Sequence, residues 1–162
     1  IVGIVDKFKL TGKTKDYSDT FRDKLSFVDA DGFLPFTKQA LLDRLNPMLP
    51  ASLCHGDFTL ENIIYGEDEK FYLIDPSTGP YDSWIFDIAK MRQDLDAKWF
   101  LRNKQALLDI KLHAIKNALK ECYPEAFDDY FYILMLLRVY IYAIPNSKEH
   151  TLLLSEIQRL WK

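Results

Sequence analysis

The sequence has little cysteine, no excess of charge of one sign and no long hydrophobic run. Its two cysteines, Cys54 and Cys122, form no C-x-x-C pair. This argues against a disulfide framework and a structural zinc site, and it favours a reducing, cytoplasmic setting. The 21 Lys and Arg residues against 24 Asp and Glu residues give a formal net charge of −3. Since no long basic cluster is present, we expect no nucleic-acid partner and no electrostatic membrane anchor.

The longest apolar stretch, residues 130–144, is too short to cross a bilayer and contains Arg138 near its middle, so we expect no transmembrane span. A chain of 162 residues that is 48% hydrophobic, 14% aromatic and 28% charged has the composition of one soluble globular domain. Disorder, collagen and coiled coil are excluded on the same ground. The chain begins at Ile1 rather than Met and has no visible signal peptide, so we expect that an upstream segment has been removed.

Hydrophobic spacing predicts a mainly helical α+β domain with one small β-hairpin. The helix that begins at Ser83 is amphipathic, with Lys90, Arg92 and Asp94 on its polar side. The helix over 124–143 is apolar nearly all round and is expected to be central and buried. The predicted helices are 16–27, a helix from Thr37 as N-cap to the region of Pro47 to Pro50, the helix from Ser83, and 101–122, 124–143 and 147–161; the predicted strands are 62–65 and 70–74.

Polar side chains cluster at the open end of this predicted hairpin. Asp57 lies in a loop before the first strand, Asn62 begins that strand, and Asp75 follows the second strand. Because an antiparallel ribbon brings its open ends together, we expect Asn62 and Asp75 to be neighbours and Asp57 to lie on the same rim. Carboxylate and amide oxygens suit Mg²⁺, and a further carboxylate beside the metal can orient a hydroxyl proton. A bound metal ion and a nearby base are the two groups that phosphoryl transfer requires at the least.

The segment His55-Gly56-Asp57-x4-Asn62, followed by an apolar strand and Asp75, resembles the catalytic segment of the aminoglycoside phosphotransferase and choline kinase family. That family is similar in fold to protein kinases. The resemblance implies the C-terminal lobe of a protein-kinase-like fold, with a small catalytic-loop hairpin. It also implies transfer of the γ-phosphate of ATP to a hydroxyl of a small molecule, such as an aminoglycoside, choline, ethanolamine or a sugar.

The same resemblance implies a role for each matching residue. Asp57 would be the catalytic carboxylate that orients the acceptor hydroxyl, while Asn62 and Asp75 would hold Mg²⁺ against the phosphates of ATP. His55 would brace the loop rather than react. Asp87, in a segment Asp87-Ile88-Ala89 that also resembles the family, would be a structural carboxylate that binds the loop backbone near the start of a helix.

The sequence departs from the kinase pattern in two places. Asp75 is followed by Pro76-Ser77 where a Phe-Gly pair is common, which puts a Phe-Gly conformational switch in doubt. Only 54 residues precede His55, and we interpret them as mostly helical, so the lobe that covers the nucleotide is expected to be absent. We therefore expect residues 1–162 to form a single C-terminal lobe whose parent protein carries the missing lobe, and we expect this chain alone to bind ATP poorly.

Two alternatives remain open. A non-catalytic, kinase-like binding or scaffold module would keep the fold of the loop without turnover. A helical adaptor without kinase ancestry would leave Asn62 and Asp75 too far apart to share a metal ion.

Three weaker patterns favour ordinary structure. Residues 10–14 end like a phosphate-binding loop, but Lys7 stands where its first glycine is required. Residues 29–32 resemble the start of a calcium loop, yet Phe33 and Leu34 follow where an oxygen ligand and a glycine are needed. We predict a turn at both sites. Aromatic residues could line a cage for a quaternary ammonium group, but core packing is the favoured interpretation; they are Phe127, Tyr130, Phe131, Tyr132, Tyr140 and Tyr142.

Overall fold

The computed structural model describes residues 1–9, 12–102 and 108–162. Within these ranges the chain is mainly helical, with two small antiparallel sheets of two strands each. The helices are α1 (Val2–Phe8), α2 (Ser18–Lys24), α3 (Lys38–Leu42), α4 (Trp84–Leu95), α5 (Asp109–Cys122), α6 (Asp129–Tyr140) and α7 (Lys148–Leu160), and the strands are β1 (Thr14–Asp16), β2 (Met48–Pro50), β3 (Ile63–Tyr65) and β4 (Phe71–Leu73).

Helix α6 is the centre of the core, as its apolar sequence predicts. Its residues from Phe131 to Leu137 are all buried, and α4 and α7 both pack against it. Asp128 caps the helix by accepting hydrogen bonds from the backbone N–H groups of Tyr130 and Phe131. This cap explains why the predicted helix over 124–143 begins only at Asp129, with a separate 3-10 turn over Pro124–Ala126 before it.

Helix α4 is buried along its entire length, including its polar residues. An amphipathic helix normally turns its polar side to solvent, but Lys90, Arg92 and Asp94 are each less than 10% exposed. Arg92, for example, binds the carboxylates of Asp96 and Asp129. The polar side of α4 therefore faces other parts of the protein, among them the loop described below.

The ends of the other predicted helices are partly confirmed. Thr37 caps α3 by accepting a hydrogen bond from the N–H of Ala40, and Ser147 caps α7 in the same way through His150. The prediction of a helix over 101–122 is wrong at its start, because α5 begins at Asp109. Residues 103–107 lie outside the described part of the chain.

The predicted helix over 16–27 is wrong at both ends. Asp16 belongs to β1, which pairs with β2 in the register Thr14 to Pro50, and α2 ends at Lys24. The helix predicted to extend from Thr37 to the region of Pro47 to Pro50 ends at Leu42, and Met48–Pro50 forms β2. This sheet joins segments far apart in the sequence, and three-residue strands leave no periodicity to detect.

Of the weaker patterns, the turn predicted over 29–32 is confirmed only in part: Asp29 and Ala30 belong to a 3-10 helix over Val28–Ala30, and a turn begins at Asp31. The carboxylate of Asp31 accepts hydrogen bonds from the N–H groups of Phe33 and Leu34. Of the turn predicted over 10–14, residues 10 and 11 lie outside the described part of the chain, and Thr14 belongs to β1. No helix in the described ranges is long and apolar enough to cross a bilayer.

The predicted hairpin is confirmed, with slightly shorter strands. Strands β3 and β4 pair antiparallel in the register Ile63 to Leu73 and Tyr65 to Phe71. One further backbone hydrogen bond, from the N–H of Ile74 to the carbonyl oxygen of Asn62 at 3.1 Å, extends the pairing toward the open end. The ladder therefore places Asn62 opposite Ile74, with Asp75 as the next residue.

Candidate active site

A buried carboxylate on α4 holds the start of the loop that contains Asp57. The two carboxylate oxygens of Asp87 accept hydrogen bonds from the backbone N–H groups of His55 at 2.5 Å and Gly56 at 2.8 Å. Burial raises the pKa of Asp87 to about 6, although these two hydrogen bonds oppose the shift. The carboxylate of Asp87 is thus bound to the backbone at the start of the loop.

Gly56 is required by the conformation of this loop. Its φ of +78° lies in the left-handed region, and a Cβ atom on it would stand 2.1 Å from the carbonyl oxygen of Ser77. The N–H of Ser77 donates to the carbonyl oxygen of His55 at 2.8 Å. The guanidinium of Arg138 donates to the carbonyl oxygen of Gly56 at 3.2 Å. The loop is therefore bound to α4, to α6 and to the segment that follows Asp75.

The far end of the loop is held by a second buried carboxylate of α4. Asp94 accepts hydrogen bonds from the N–H groups of Leu60 at 2.7 Å and Phe100 at 3.2 Å, and burial raises its pKa to about 6. Asp87, Lys90 and Asp94 are spaced i, i+3 and i+7, so they lie on one face of the helix. This face of α4 supports the loop at both of its ends.

Asp57 lies between these two attachment points with its carboxylate held at both oxygens. Lys90 Nζ lies 3.1 Å from Oδ1. The side-chain amide of Asn62 donates to Oδ2 at 3.3 Å and to the backbone carbonyl oxygen of Asp57 at 2.8 Å. The side chain of Asp57 is 38% exposed, whereas that of Lys90 is 10% exposed. The carboxylate therefore faces solvent with a fixed orientation.

The hydrogen bonds of Asn62 determine which of its atoms remains for a metal ion. Its amide nitrogen is used by Asp57, so its carbonyl oxygen is the atom that can act as a ligand. Asp75 is exposed and lies between Ile74, which binds the backbone of Asn62, and Ser77, which binds the backbone of His55. Hydrogen bonds on both sides of Asp75 thus keep its backbone beside the loop.

The donor set at this rim fits a hard cation. Mg²⁺ is usually bound by one or two protein oxygens together with waters and substrate phosphates, and Asn62 and Asp75 offer one amide oxygen and one carboxylate. Asp75 has a φ of +52°, a conformation that Asp tolerates better than most residues do. In the described ranges, no three residues among His, Cys, Asp and Glu are arranged to hold a metal ion.

His55 supports the loop through its backbone and its packing. Its ring is buried and lies 6.0 Å from the ring of Phe58, centroid to centroid. Neither ring nitrogen has a hydrogen-bond partner among the described residues. Its backbone N–H and carbonyl groups form hydrogen bonds, with Asp87 and Ser77. His55 thus contributes two backbone hydrogen bonds and the packing of its ring to the loop.

Sequence reasoning missed three residues of this region: Lys90, Asp94 and Arg138. The signal for the first two was present, because Asp87, Lys90 and Asp94 repeat at helical spacing directly after a polar loop. Arg138 stands alone in the apolar helix α6, and an isolated cation in a buried helix indicates a specific partner, here the carbonyl oxygen of Gly56.

The aromatic residues of α6 mostly pack the core, which was the favoured interpretation. Phe131, Tyr132 and Tyr140 are buried. A separate groove of about 320 Å³ lies between α2, α6 and the segment after Asp75, and its lining includes Lys24 and Arg138. Because Arg138 also binds the carbonyl oxygen of Gly56, the groove adjoins the backbone of the Asp57 loop.

Comparison with models of protein families matches residues 12–126 to the phosphotransferase enzyme family (APH). Comparison with the curated proteins and with the solved structures gives no significant match. The matched segment contains the Asp57 loop, the hairpin and α4, which are the elements that carried the resemblance in the sequence. The alternative of a helical adaptor without kinase ancestry is therefore wrong. Since the match covers more than half of the chain, the protein belongs to the phosphotransferase enzyme family.

Proposed function

We propose that the protein is a small-molecule kinase that transfers the γ-phosphate of ATP to a hydroxyl group, and that the described residues form the C-terminal lobe of its kinase-like fold. One observation carries this proposal. The carboxylate of Asp57 and the amide of Asn62 are hydrogen-bonded at the open end of the hairpin, and Asp75 begins directly beyond the last pair of the same ladder. A base and two oxygen ligands thus share one rim.

In this proposal Asp57 orients the acceptor. Its carboxylate is held by Lys90 and Asn62, and each carboxylate oxygen retains a lone pair that can accept a hydrogen bond from a hydroxyl group. Fixed orientation of this kind supplies much of the rate enhancement in phosphoryl transfer. Mg²⁺, when bound by Asn62 and Asp75, supplies charge neutralisation at the phosphates. His55 and Asp87 keep the loop in place.

The exposed face of the hairpin supports a further part of the proposal, namely that a second lobe covers the nucleotide. The hairpin exposes apolar side chains that an isolated domain normally buries: Ile64, Tyr65, Phe71, Tyr72 and Ile74. A lobe packed over this face would cover these side chains and enclose ATP above Asn62 and Asp75.

The free thiols of Cys54 and Cys122 support the further proposal that the protein works in the cytoplasm.

The charge of the groove beside the loop favours one class of acceptor. Two cationic side chains, Lys24 and Arg138, contribute to its lining, together with apolar residues such as Leu134. No carboxylate lines the groove in the described part of the chain. A polycationic aminoglycoside would face like charges there, whereas a sugar or another uncharged or anionic hydroxyl compound would not. We therefore propose a neutral or anionic alcohol as the acceptor.

The test is Mg²⁺-dependent ATP consumption by the complete protein that contains these residues. The acceptor panel consists of aminoglycosides, choline, ethanolamine, sugars and homoserine. We expect turnover with at least one uncharged acceptor, and we expect Asp57→Asn to lower it by at least about 100-fold because the oriented base is lost. Asp19→Asn is the matched control, since the side chain of Asp19 is fully exposed on α2.

Each result separates the possibilities. Equal turnover by the wild-type protein and Asp57→Asn would refute the catalytic assignment. Turnover with aminoglycosides alone would refute the proposed acceptor class and leave the phosphotransferase proposal intact. Absence of Mg²⁺-dependent transfer to every acceptor, in a folded protein that binds no Mg²⁺·ATP, would favour the non-catalytic scaffold module.

A further inference from the structure

Lys90 is a cation buried in the centre of α4. The residue is 8% exposed, and its ammonium group forms one ion pair in the described ranges, with Asp57 Oδ1 at 3.1 Å. It belongs to the face of α4 that also carries Asp87 and Asp94. A lysine whose only task was to keep the helix soluble would extend into water instead of lying against a loop.

Burial of this ammonium group is unfavourable unless a partner compensates for it. Transfer of an isolated charge out of water is strongly unfavourable. Two charged side chains near Lys90 influence its ammonium group. Arg138 carries the same charge as Lys90, and Asp94 carries the opposite charge. The carboxylate of Asp94 accepts hydrogen bonds from the N–H groups of Leu60 and Phe100. Asp57 is thus the group that offers Lys90 a direct ion pair.

The two residues of the ion pair differ in exposure, and packing does not explain the difference. Asp57 is 38% exposed and is well solvated without help, so it does not need a buried lysine for its own stability. A methionine at position 90 would fill the same apolar space without the cost of burying a charge. The arrangement is best explained by what the ammonium group does to the exposed carboxylate.

We propose that Lys90 is a positioning residue for the phosphoryl transfer step and that it acts through Asp57. This inference rests on the proposed function. Lys90 fixes Oδ1 while Asn62 fixes Oδ2, so the carboxylate presents its remaining lone pairs to the acceptor hydroxyl in one orientation. The ammonium group also lowers the repulsion between the carboxylate and the negatively charged phosphoryl group that approaches the same hydroxyl oxygen.

This role predicts a specific kinetic signature. Lys90 touches neither nucleotide nor acceptor in the proposal, so its loss lowers kcat and leaves the KM values for ATP and acceptor nearly unchanged. We expect Lys90→Met to lower kcat by about 100-fold, the size of effect that a misplaced catalytic group produces. We expect Lys90→Arg to recover part of this loss, because it restores a cation at the same position.

The experiment compares Lys90→Met, Lys90→Arg and Asp57→Asn in the complete protein, with Lys116→Met as the matched control. Lys116 lies on α5 and pairs with Asp96 at 2.5 Å, away from the loop. Circular dichroism and urea unfolding verify that each variant folds. If Lys90→Met does not fold, Lys90→Gln, which also removes the charge, takes its place. We expect Lys116→Met to retain the wild-type kcat.

The outcomes distinguish this inference from the proposed function. Loss of activity in Asp57→Asn together with a nearly wild-type kcat in the charge-removing variant would overturn the role of Lys90 and leave the kinase proposal standing. Full activity of Asp57→Asn would overturn the catalytic assignment of Asp57, whereas absence of Mg²⁺-dependent transfer by the wild-type protein would overturn the kinase proposal itself. A double-mutant cycle of Lys90→Met and Asp57→Asn on unfolding stability tests the ion pair without any activity, and strict additivity there would overturn the pair.

Discussion

Replacement of Asp87 by asparagine changes the dependence of stability on pH in a direction that the structure determines. Burial raises the pKa of Asp87 from the ordinary value of 3.8 to about 6. The folded state therefore binds the proton more tightly than the unfolded state does. The contribution of this proton to the free energy of unfolding is fully present below about pH 4, and it is lost as the pH rises through about 6. Asn at this position carries no such proton.

The magnitude follows from the size of the pKa shift. A shift of about two units at 1.36 kcal/mol per unit corresponds to roughly 3 kcal/mol. We therefore expect the free energy of unfolding of the wild-type protein, relative to that of Asp87→Asn, to be higher at pH 4 than at pH 7. The difference between the two proteins should change by up to roughly 3 kcal/mol over this pH range. Asp94 has a pKa raised to about 6 by burial as well. Since Asp94 is present in both proteins, its contribution cancels in the difference when the two sites are independent.

The assay is urea unfolding of both proteins at half-unit steps between pH 4 and 7, followed by fluorescence and by circular dichroism. Each titration gives a free energy of unfolding by linear extrapolation. Asp19→Asn is the control for general charge effects, because the side chain of Asp19 is fully exposed. A wild-type advantage over Asp87→Asn that stays constant or grows between pH 4 and 7 would refute the reasoning, and so would the same pH dependence in the control.

Two further predictions concern the backbone of the site, and urea unfolding measures both. Gly56→Ala should destabilise the protein by at least about 1–3 kcal/mol, because φ is +78° and the new Cβ would meet Ser77. Gly79→Ala, which meets nothing within 4 Å, is its control, and equal stability of the two variants would contradict the prediction. Ser52→Ala should cost about 1 kcal/mol, since Ser52 Oγ accepts the N–H of Trp84 at the start of α4. An unchanged midpoint would contradict this second prediction.

The candidate site residues could be predicted from the sequence because they lie close together along the chain. Asp57 and Asn62 are five residues apart, and the apolar strands between Asn62 and Asp75 predict a hairpin whose open end gathers these residues. The same local character made Thr37 recognisable as a helix cap. Such features depend on a few neighbouring residues, so they need no knowledge of the rest of the chain.

Other elements could not be predicted from the sequence, because they depend on contacts between segments that are far apart along the chain. The sheet of β1 and β2 joins Thr14 to Pro50, and neither three-residue strand shows a periodicity by itself. The polar side of α4 looked like the solvent side of an amphipathic helix, because sequence periodicity defines a face without saying what the face meets.

The sequence by itself determined the mainly helical fold, the hairpin and the residues that carry the family resemblance, because each depends on spacing along the chain. Only the tertiary structure decided that the polar side of α4 faces the loop, that Asp94 and Arg138 hold the loop backbone, and that Lys90 pairs with Asp57. These contacts join residues 33 to 82 positions apart. They follow from burial, which forces each enclosed charge or backbone group to find a partner wherever the packed chain provides one.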